Sequence, residues 1–280
     1  MSTILITGAT DGLGRALAGS LASDGHRLII HGRNPERLTT VADEIASTEG
    51  SPGRPQVATA DLAELAQVRR LASDVREQTD HLDVLVSNAG IGAGEPDGRD
   101  RRTSADGYEL RFAVNYLAGF LLTLELLPLL QASAPARVVN VASVGQHPLD
   151  FDDLMLEHGY SGTRAYGQSK LAQIISGFDL ADRLPADRLT VNSLHPSTFM
   201  PTKMVLQEIG RTIDSIEDGV AATSRLVTDP GLATTTGRFF DRTREALAND
   251  QAYDPEARAT LWQRSLELVD HPDPFDHPGA

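Results

Sequence analysis

Short β-branched and aliphatic runs alternate with longer stretches whose apolar residues recur every three or four positions, and the alternation continues along nearly the whole chain. Strands covered on both faces carry continuous apolar sequence, so the short runs read as buried parallel strands. They are "TILITG" at 3–8, "RLIIHG" at 27–32, "QVATADL" at 56–62, "LDVLVSNAG" at 82–90, "RVVNVAS" at 137–143 and "RLTVNSLHP" at 188–196. Helical periodicity fills the intervals at about 12–24, 35–47, 62–78 and 108–133, and surrounds Tyr166. Pro35 suits the first turn of its helix, where the N–H it lacks would have no partner. Seven or so such units predict an α/β fold with a doubly wound parallel sheet, whose ligands bind at the carboxyl ends of the strands. No Pro/Gly/Ser-rich linker interrupts the pattern before "DHPDPFDHPGA". A single domain over 1–269 is therefore expected, followed by a solvated, flexible tail over 270–280.

Charge narrows the partners. The 39 acidic against 25 basic residues leave a net charge of −14, which repels nucleic acid and anionic membrane surfaces at long range but allows a local basic pocket for a small anionic cofactor. With no cysteine in the chain, disulfides, thiolate zinc sites and thiol nucleophiles are excluded. The sequence enters "STILITGATDG" without a charged or apolar leader, and "FLLTLELLPLL" reads as too short and interrupted to span a bilayer. A cytoplasmic protein is expected, with neither a membrane span nor a nucleic-acid partner. His147, His158 and His195 read as pocket or surface residues, because no HExxH or paired spacing points to a metal.

Gly8, Gly12 and Gly14 lie between the first strand and the first helix in a G-x-x-x-G-x-G pattern. Such a turn lets the backbone approach a pyrophosphate, while the helix N-terminus supplies amide donors and partial positive charge. At the end of the second strand, an acidic residue would bind the adenosine 2′-hydroxyl. Here Gly32 is followed by Arg33 and Asn34. Arg33 is either a solvated turn residue or, the favoured reading, a clamp on the NADPH 2′-phosphate. Asp61 and Leu62 follow the third strand, where a carboxylate can accept from the adenine amino group. A helix N-cap role for Asp61 is compatible with that. Asn88, Ala89 and Gly90 in "SNAG" form a strand-to-loop turn or a floor under the cofactor. Asn115 stands in an otherwise apolar helix and needs a hydrogen-bond partner there.

Tyr166 and Lys170 are one helical turn apart and share a face. A phenol titrates near pH 10, and a neighbouring ammonium would lower that value toward a useful range. The phenol can then protonate an alkoxide that forms as hydride reaches a carbonyl carbon, while Ser143, at the end of a strand, polarises the carbonyl oxygen.

Taken together, "TGATDGLG", "SNAG", Asn115, Ser143 and "YGQSK" resemble the short-chain dehydrogenase/reductase family in order and approximate spacing over most of the chain. The resemblance implies an NAD(P)-binding, Rossmann-type three-layer sandwich around a seven-stranded parallel sheet of order 3-2-1-4-5-6-7. It also implies an Asn115–Ser143–Tyr166–Lys170 tetrad. In it Tyr166 is the acid/base, Ser143 positions the carbonyl, Lys170 also bonds the nicotinamide ribose, and Asn115 holds a relay water. Gly8, Thr10, Asp11, Gly12, Leu13 and Gly14 would surround the pyrophosphate, with Asn88 beside the ribose.

The long interval "LDFDDLMLEHGYSGTRAYGQSKLAQ", together with "GRFF" and "LWQRSLELVD", is most similar to the retinol-dehydrogenase-like branch, which often reduces apolar aldehydes and ketones. Retinol itself is not transferred. The family pattern has glycine after the proline at 196, where this chain has Ser197, and its carboxamide-binding threonine is displaced to Thr202, with Thr198 as competitor. The segment 196–215 is the expected substrate lid. The charged stretch "GIGAGEPDGRDRRTSADGYE" at 90–109 either shapes a substrate entrance or is a surface insertion. The resulting expectation is an NADPH-preferring oxidoreductase for a small, apolar carbonyl or alcohol, assembled as a homodimer or homotetramer through helices around 105–131 and 163–184. Two alternatives remain at this point. A nucleotide-sugar epimerase or dehydratase would usually need a larger domain than the 110 residues (280 − 170) that follow Lys170. A non-catalytic NADPH sensor or scaffold would not need the tetrad.

Overall fold

Period-two alternation along the strands delivers side chains to two apolar layers, one on each face of a sheet. The computed structural model describes residues 1–94, 98–208 and 210–276, without the side chain of Met204. Strands β1 (Thr3–Ile6), β2 (Arg27–Gly32), β3 (Gln56–Thr59), β4 (Val84–Ser87), β5 (Ala136–Val141), β6 (Leu189–His195) and β7 (Arg238–Asp241) run parallel in the order β3-β2-β1-β4-β5-β6-β7. Leu5, Ile29, Leu85, Val138 and Val191 enter one layer with α3 (Leu65–Gln78), α5 (Ala118–Ala132), α6 (Gly162–Arg183) and α9 (Pro255–Val269). Their strand neighbours Ile4, Ile6, Ile30, Val86 and Val139 enter the other with α1 (Gly12–Ser23), α2 (Pro35–Ala46) and α8 (Ile216–Thr228).

The sheet is larger than expected. An antiparallel strand, β8 (Arg244–Ala246), makes it eight-stranded among the described residues, folded back on β7 by a two-residue turn whose Arg242 has φ 55°. Its three residues are exposed or half-buried, so no apolar run announces it.

The apolar stretch expected as one helix comprises α4 (Leu110–Phe112), a π turn at Ala113–Leu117, and α5. Taken as Leu110–Ala132, longer than the "FLLTLELLPLL" stretch within it, it is long and apolar enough by length and composition to cross a bilayer. Within the protein 72 % of its apolar window is buried, and α5 packs on α3, so its hydrophobicity is that of a central core helix. The expected solvated tail also differs: Phe275 lies 6.0 Å from Trp262, whose indole N–H donates to Asp273 (2.8 Å), and Arg183 covers the indole at 4.1 Å. Residues 277–280 of that tail, and 95–97 of the charged 90–109 loop, lie outside the described residues.

Candidate active site

At the carboxyl end of β1 the backbone turns through Gly8 (φ 68°) and Gly12 (φ 49°) into α1. A Cβ at Gly8 would meet Ala89 Cα at 2.8 Å, and one at Gly14 would lie 2.3 Å from Gly8 O and 2.5 Å from Asn88 Nδ2. Over Gly12 stands Thr202, whose methyl is 3.1 Å from where a Cβ would be. Asp11 caps α1 by accepting from Gly12 N (2.8 Å), and it pairs with Arg37 (2.9 Å), whose guanidinium also donates to Thr10 O (3.2 Å). The Arg37 hydrogen bond holds the Asp11 carboxyl below its usual range. Side chains are thus excluded from the turn while the first amides of α1 border it, which fits a dinucleotide pyrophosphate. Leu13 instead points into the core, toward α8.

Two residues not singled out from the sequence lock this turn. Thr7 Oγ1 accepts from Asn88 N (2.9 Å) and Ala89 N (3.0 Å), while Asn88 Nδ2 donates to Thr7 O (2.8 Å) and Gly8 O (3.2 Å). Asn88 and Ala89 therefore bind the end of β4 to the glycine turn. His31, almost fully buried on β2, accepts from Gly8 N at Nδ1 (3.3 Å) and donates from Nε2 to Ala60 O (3.1 Å). Desolvation pushes its pKa down to about 4, so the neutral imidazole is the folded form. A polar residue inside the apolar run "RLIIHG" is the signal that marks it.

The titration of His31 has a consequence. Because its folded pKa lies below the unfolded value near 6.5, its contribution to stability is complete above about pH 6.5 and is lost as pH falls toward 4. Over that interval wild type should lose roughly 3 kcal/mol more than His31→Gln. Urea unfolding of both proteins from pH 7 to 4 checks this. Parallel stability curves would show that His31 is not responsible.

At the adenosine end Arg33 is exposed and, among the described residues, pairs with nothing, whereas Asn34 caps α2 through Arg37 N (2.9 Å). Asp61 does not cap a helix as expected. It accepts from Ala63 N (3.0 Å) in a turn, and α3 begins two residues beyond Ala63, at Leu65, after Glu64. Leu62 is packed in the core, so its side chain is not in the crevice.

The four residues expected to act together converge at the ends of β4 and β5. Asn115 lies in the π turn, a distortion that often marks functional positions. Its Oδ1 accepts from Ile91 N (2.8 Å), and its Nδ2 donates to Ile91 O (3.1 Å) and Ser169 Oγ (3.0 Å). A Cβ at Gly90 would be 3.2 Å from Asn115 Oδ1 and 3.6 Å from Lys170 Nζ. Gly90 thus lets the asparagine and lysine approach. Ser143 Oγ accepts from Gly145 N (3.0 Å), and a Cβ at Gly145 would lie 3.3 Å from that oxygen and 3.8 Å from the Tyr166 ring, so serine and phenol flank the same point.

The electrostatics differ from the sequence argument. Lys170 Nζ is 5.9 Å from the Tyr166 ring centre and donates to Val141 O (2.7 Å) and Gln173 Oε1 (3.4 Å). Burial pushes the Lys170 ammonium down to about 8. The phenol is not lowered: desolvation raises it, Ser143 opposes that, and Glu208 raises it further. Desolvation is the largest contribution and the Lys170 ammonium does not offset it, so Tyr166 stays a protonated donor at neutral pH. Gln173, one further turn along the same helix face, is the unpredicted partner that orients Lys170 and reaches back to Ser87 O (3.3 Å).

After β6, Pro196 and Ser197 are buried and lead into the segment expected to be a lid, which carries α7 (Lys203–Glu208). Thr198 is held away from the glycine turn. Its N–H donates to Asp214 (2.7 Å), and its hydroxyl accepts from Arg242 (2.9 Å) and meets His195 Nε2 (3.1 Å). Thr202 faces Gly12 and accepts from Val205 N (3.3 Å), so it is the threonine beside the crevice.

A family model for short chain dehydrogenases matches residues 2–211. The chain belongs to that family. It is 37 % identical, over 95 % of its length and 92 % of the relative's, to a Streptomyces sp. (strain C5) protein to which daunorubicin C-13 ketoreduction is ascribed. Human retinol dehydrogenase 13 is 33 % identical over 95 % of this chain and 84 % of its own. The active-site complex of Pseudomonas aeruginosa RhlG with NADP superposes with a TM-score of 0.67 and 30 % identity, covering 86 % of this chain and 94 % of that one. Within the short chain dehydrogenases the protein is of the retinol-dehydrogenase-like branch. It is an oxidoreductase acting on CH–OH or C=O groups, in a family that uses NAD(P).

Proposed function

We propose that the protein is an NADPH-dependent reductase of ketones or aldehydes in which Tyr166 supplies the proton. The observation that carries this reading is the convergence of the four side chains. A Cβ at Gly145 would lie 3.3 Å from Ser143 Oγ and 3.8 Å from the Tyr166 ring, one at Gly90 would lie 3.2 Å from Asn115 Oδ1 and 3.6 Å from Lys170 Nζ, and burial pushes the phenol up. The bound nicotinamide supplies the hydride. Ser143 Oγ donates to the carbonyl oxygen and polarises the C=O bond, and the Tyr166 O–H transfers its proton to that oxygen as negative charge develops there. Lys170, tethered to Val141 O and Gln173, stands beside the phenol and stabilises the phenolate left behind. Asn115 sets the backbone of Ile91 next to it. The relative ascribed C-13 ketoreduction supports a ketone as substrate.

The test is NADPH oxidation by the purified protein across aliphatic aldehydes, cyclic ketones and aromatic ketones. Turnover of at least one class is expected. Oxidation of the matching alcohols with NADP+, at neutral pH and with no carbonyl reduced, would overturn the reductive reading.

NADPH preference is read from Arg33, exposed at the end of β2 and, among the described residues, without a partner, and the similar NADP-bound structure supports it. Arg33→Asp should weaken NADPH by about tenfold to a hundredfold, the range of a charge-assisted hydrogen bond, and NADH far less. Fluorescence titration of both cofactors decides this. Equal losses would show that Arg33 does not discriminate.

A further inference from the structure

Glu208, the last residue of α7, carries a carboxylate that crosses from the lid to the loop after β4. Its Oε2 accepts from Ala93 N (3.1 Å), and its Cγ would lie 2.8 Å from a Cβ at Gly94, so the glycine makes room for it. The backbone it binds is rigidly held: the fully buried Arg111 donates to Ala93 O (2.7 Å) and Gly92 O (2.7 Å). Glu208 Oε1 is buried and, among the described residues, has no hydrogen-bond partner. Buried carboxylate oxygens are rarely left unpaired, because the desolvation they suffer is then uncompensated. This one lies close enough to the reacting group for its charge to act on the Tyr166 phenol.

We propose that Glu208 Oε1 is a specificity determinant that accepts a hydrogen bond from a hydroxyl or ammonium group flanking the substrate carbonyl. The inference rests on the reading of the crevice at Tyr166 as the carbonyl site. It narrows the substrate from apolar carbonyls in general to ketones and aldehydes with a donor beside the C=O, because a site built to bond such a donor rejects the analogue that lacks it. Ala93 fixes one carboxylate oxygen, and the other, shielded from solvent in the free protein, becomes accessible to a donor when the segment carrying α7 shifts.

The probes are 2-hydroxyacetophenone, its donor-free analogue 2-methoxyacetophenone, and acetophenone. Calorimetry on the protein saturated with NADP+ measures binding of each ketone with no hydride available for carbonyl reduction, the absorbance of reduced cofactor checks that the hydroxyl is not oxidised, and NADPH oxidation gives kcat/KM. Wild type should prefer the hydroxy ketone about tenfold to a hundredfold in Kd and in kcat/KM. Glu208→Leu should bring the ratio to near one, and Glu208→Gln, which keeps an acceptor, should retain part of it. A role confined to lid structure would depress all three ketones alike. A wild-type ratio near one, or a ratio unchanged in Glu208→Leu, overturns the proposal. Tyr166→Phe separates the two readings: it should abolish turnover and leave the Kd ratio intact, and turnover surviving in it would refute the proton donor without touching Glu208.

Discussion

Tyr166→Phe is expected to lower kcat for carbonyl reduction by about 10²- to 10⁴-fold, the usual contribution of a positioned general acid, while NADPH binds as before. The substitution removes one oxygen and leaves the ring that packs beside Lys170 and Gly145. Fold and cofactor affinity should therefore persist. The phenol ring and Ser143 Oγ lie on either side of Gly145, so both reach the same carbonyl oxygen. Without it, Ser143 still polarises the carbonyl, but the alkoxide has no proton donor within reach. Steady-state kinetics with NADPH, and a cofactor titration on the same preparation, check both halves. Activity within a few-fold of wild type would overturn Tyr166 as the acid. The raised pKa adds a direction: reduction should hold across neutral pH, where the phenol is protonated, and fall only on the alkaline side.

Gly14→Ala is expected to destabilise the protein and to abolish tight cofactor binding. The added methyl would fall 2.3 Å from Gly8 O and 2.5 Å from Asn88 Nδ2. Neither neighbour can yield cheaply, since the first is backbone of the glycine turn and the second is fixed to Thr7 O and Gly8 O. Relief requires opening the β1–β4 lock, so the cost is at the upper end of the roughly 1–3 kcal/mol of overpacking. For a domain of this size that is a fall of about 5–10 °C in Tm. The control is on the same helix. A Cβ at Gly19 meets nothing within 4 Å, so Gly19→Ala should stabilise by roughly 0.5–1 kcal/mol through helix propensity alone. Opposite signs at two glycines five residues apart, read by thermal unfolding, are the expected result. Equal shifts would mean that the close approach at Gly14 does not exist in solution.

Continuous β-branched runs and helical periodicity made the parallel sheet legible in the sequence, because burial on both faces dictates apolar composition directly. The glycine turn was legible from its place between strand and helix, and the positions Asn115, Ser143, Tyr166 and Lys170, which the resemblance implied, converge in the structure. Strand β8 was not legible, since three exposed or half-buried residues carry no burial pattern. Nor was the acidity of Tyr166. Spacing along a helix places Lys170 near the phenol, but desolvation depends on every atom packed around both groups, and it reversed the expected direction. The sequence favours Thr202 with Thr198 as competitor, and only the Asp214–Arg242 network, assembled from the segment after β6 and the β7–β8 turn, holds Thr198 away from the crevice. His31, Thr7 and Glu208 act through partners 115 residues distant or less in sequence but adjacent in space. The sequence by itself determined which chemical groups this protein has and the fold that gathers them. Which of those groups are desolvated, paired or left open was decided by tertiary structure, because these are properties of surroundings that segments distant along the chain build together.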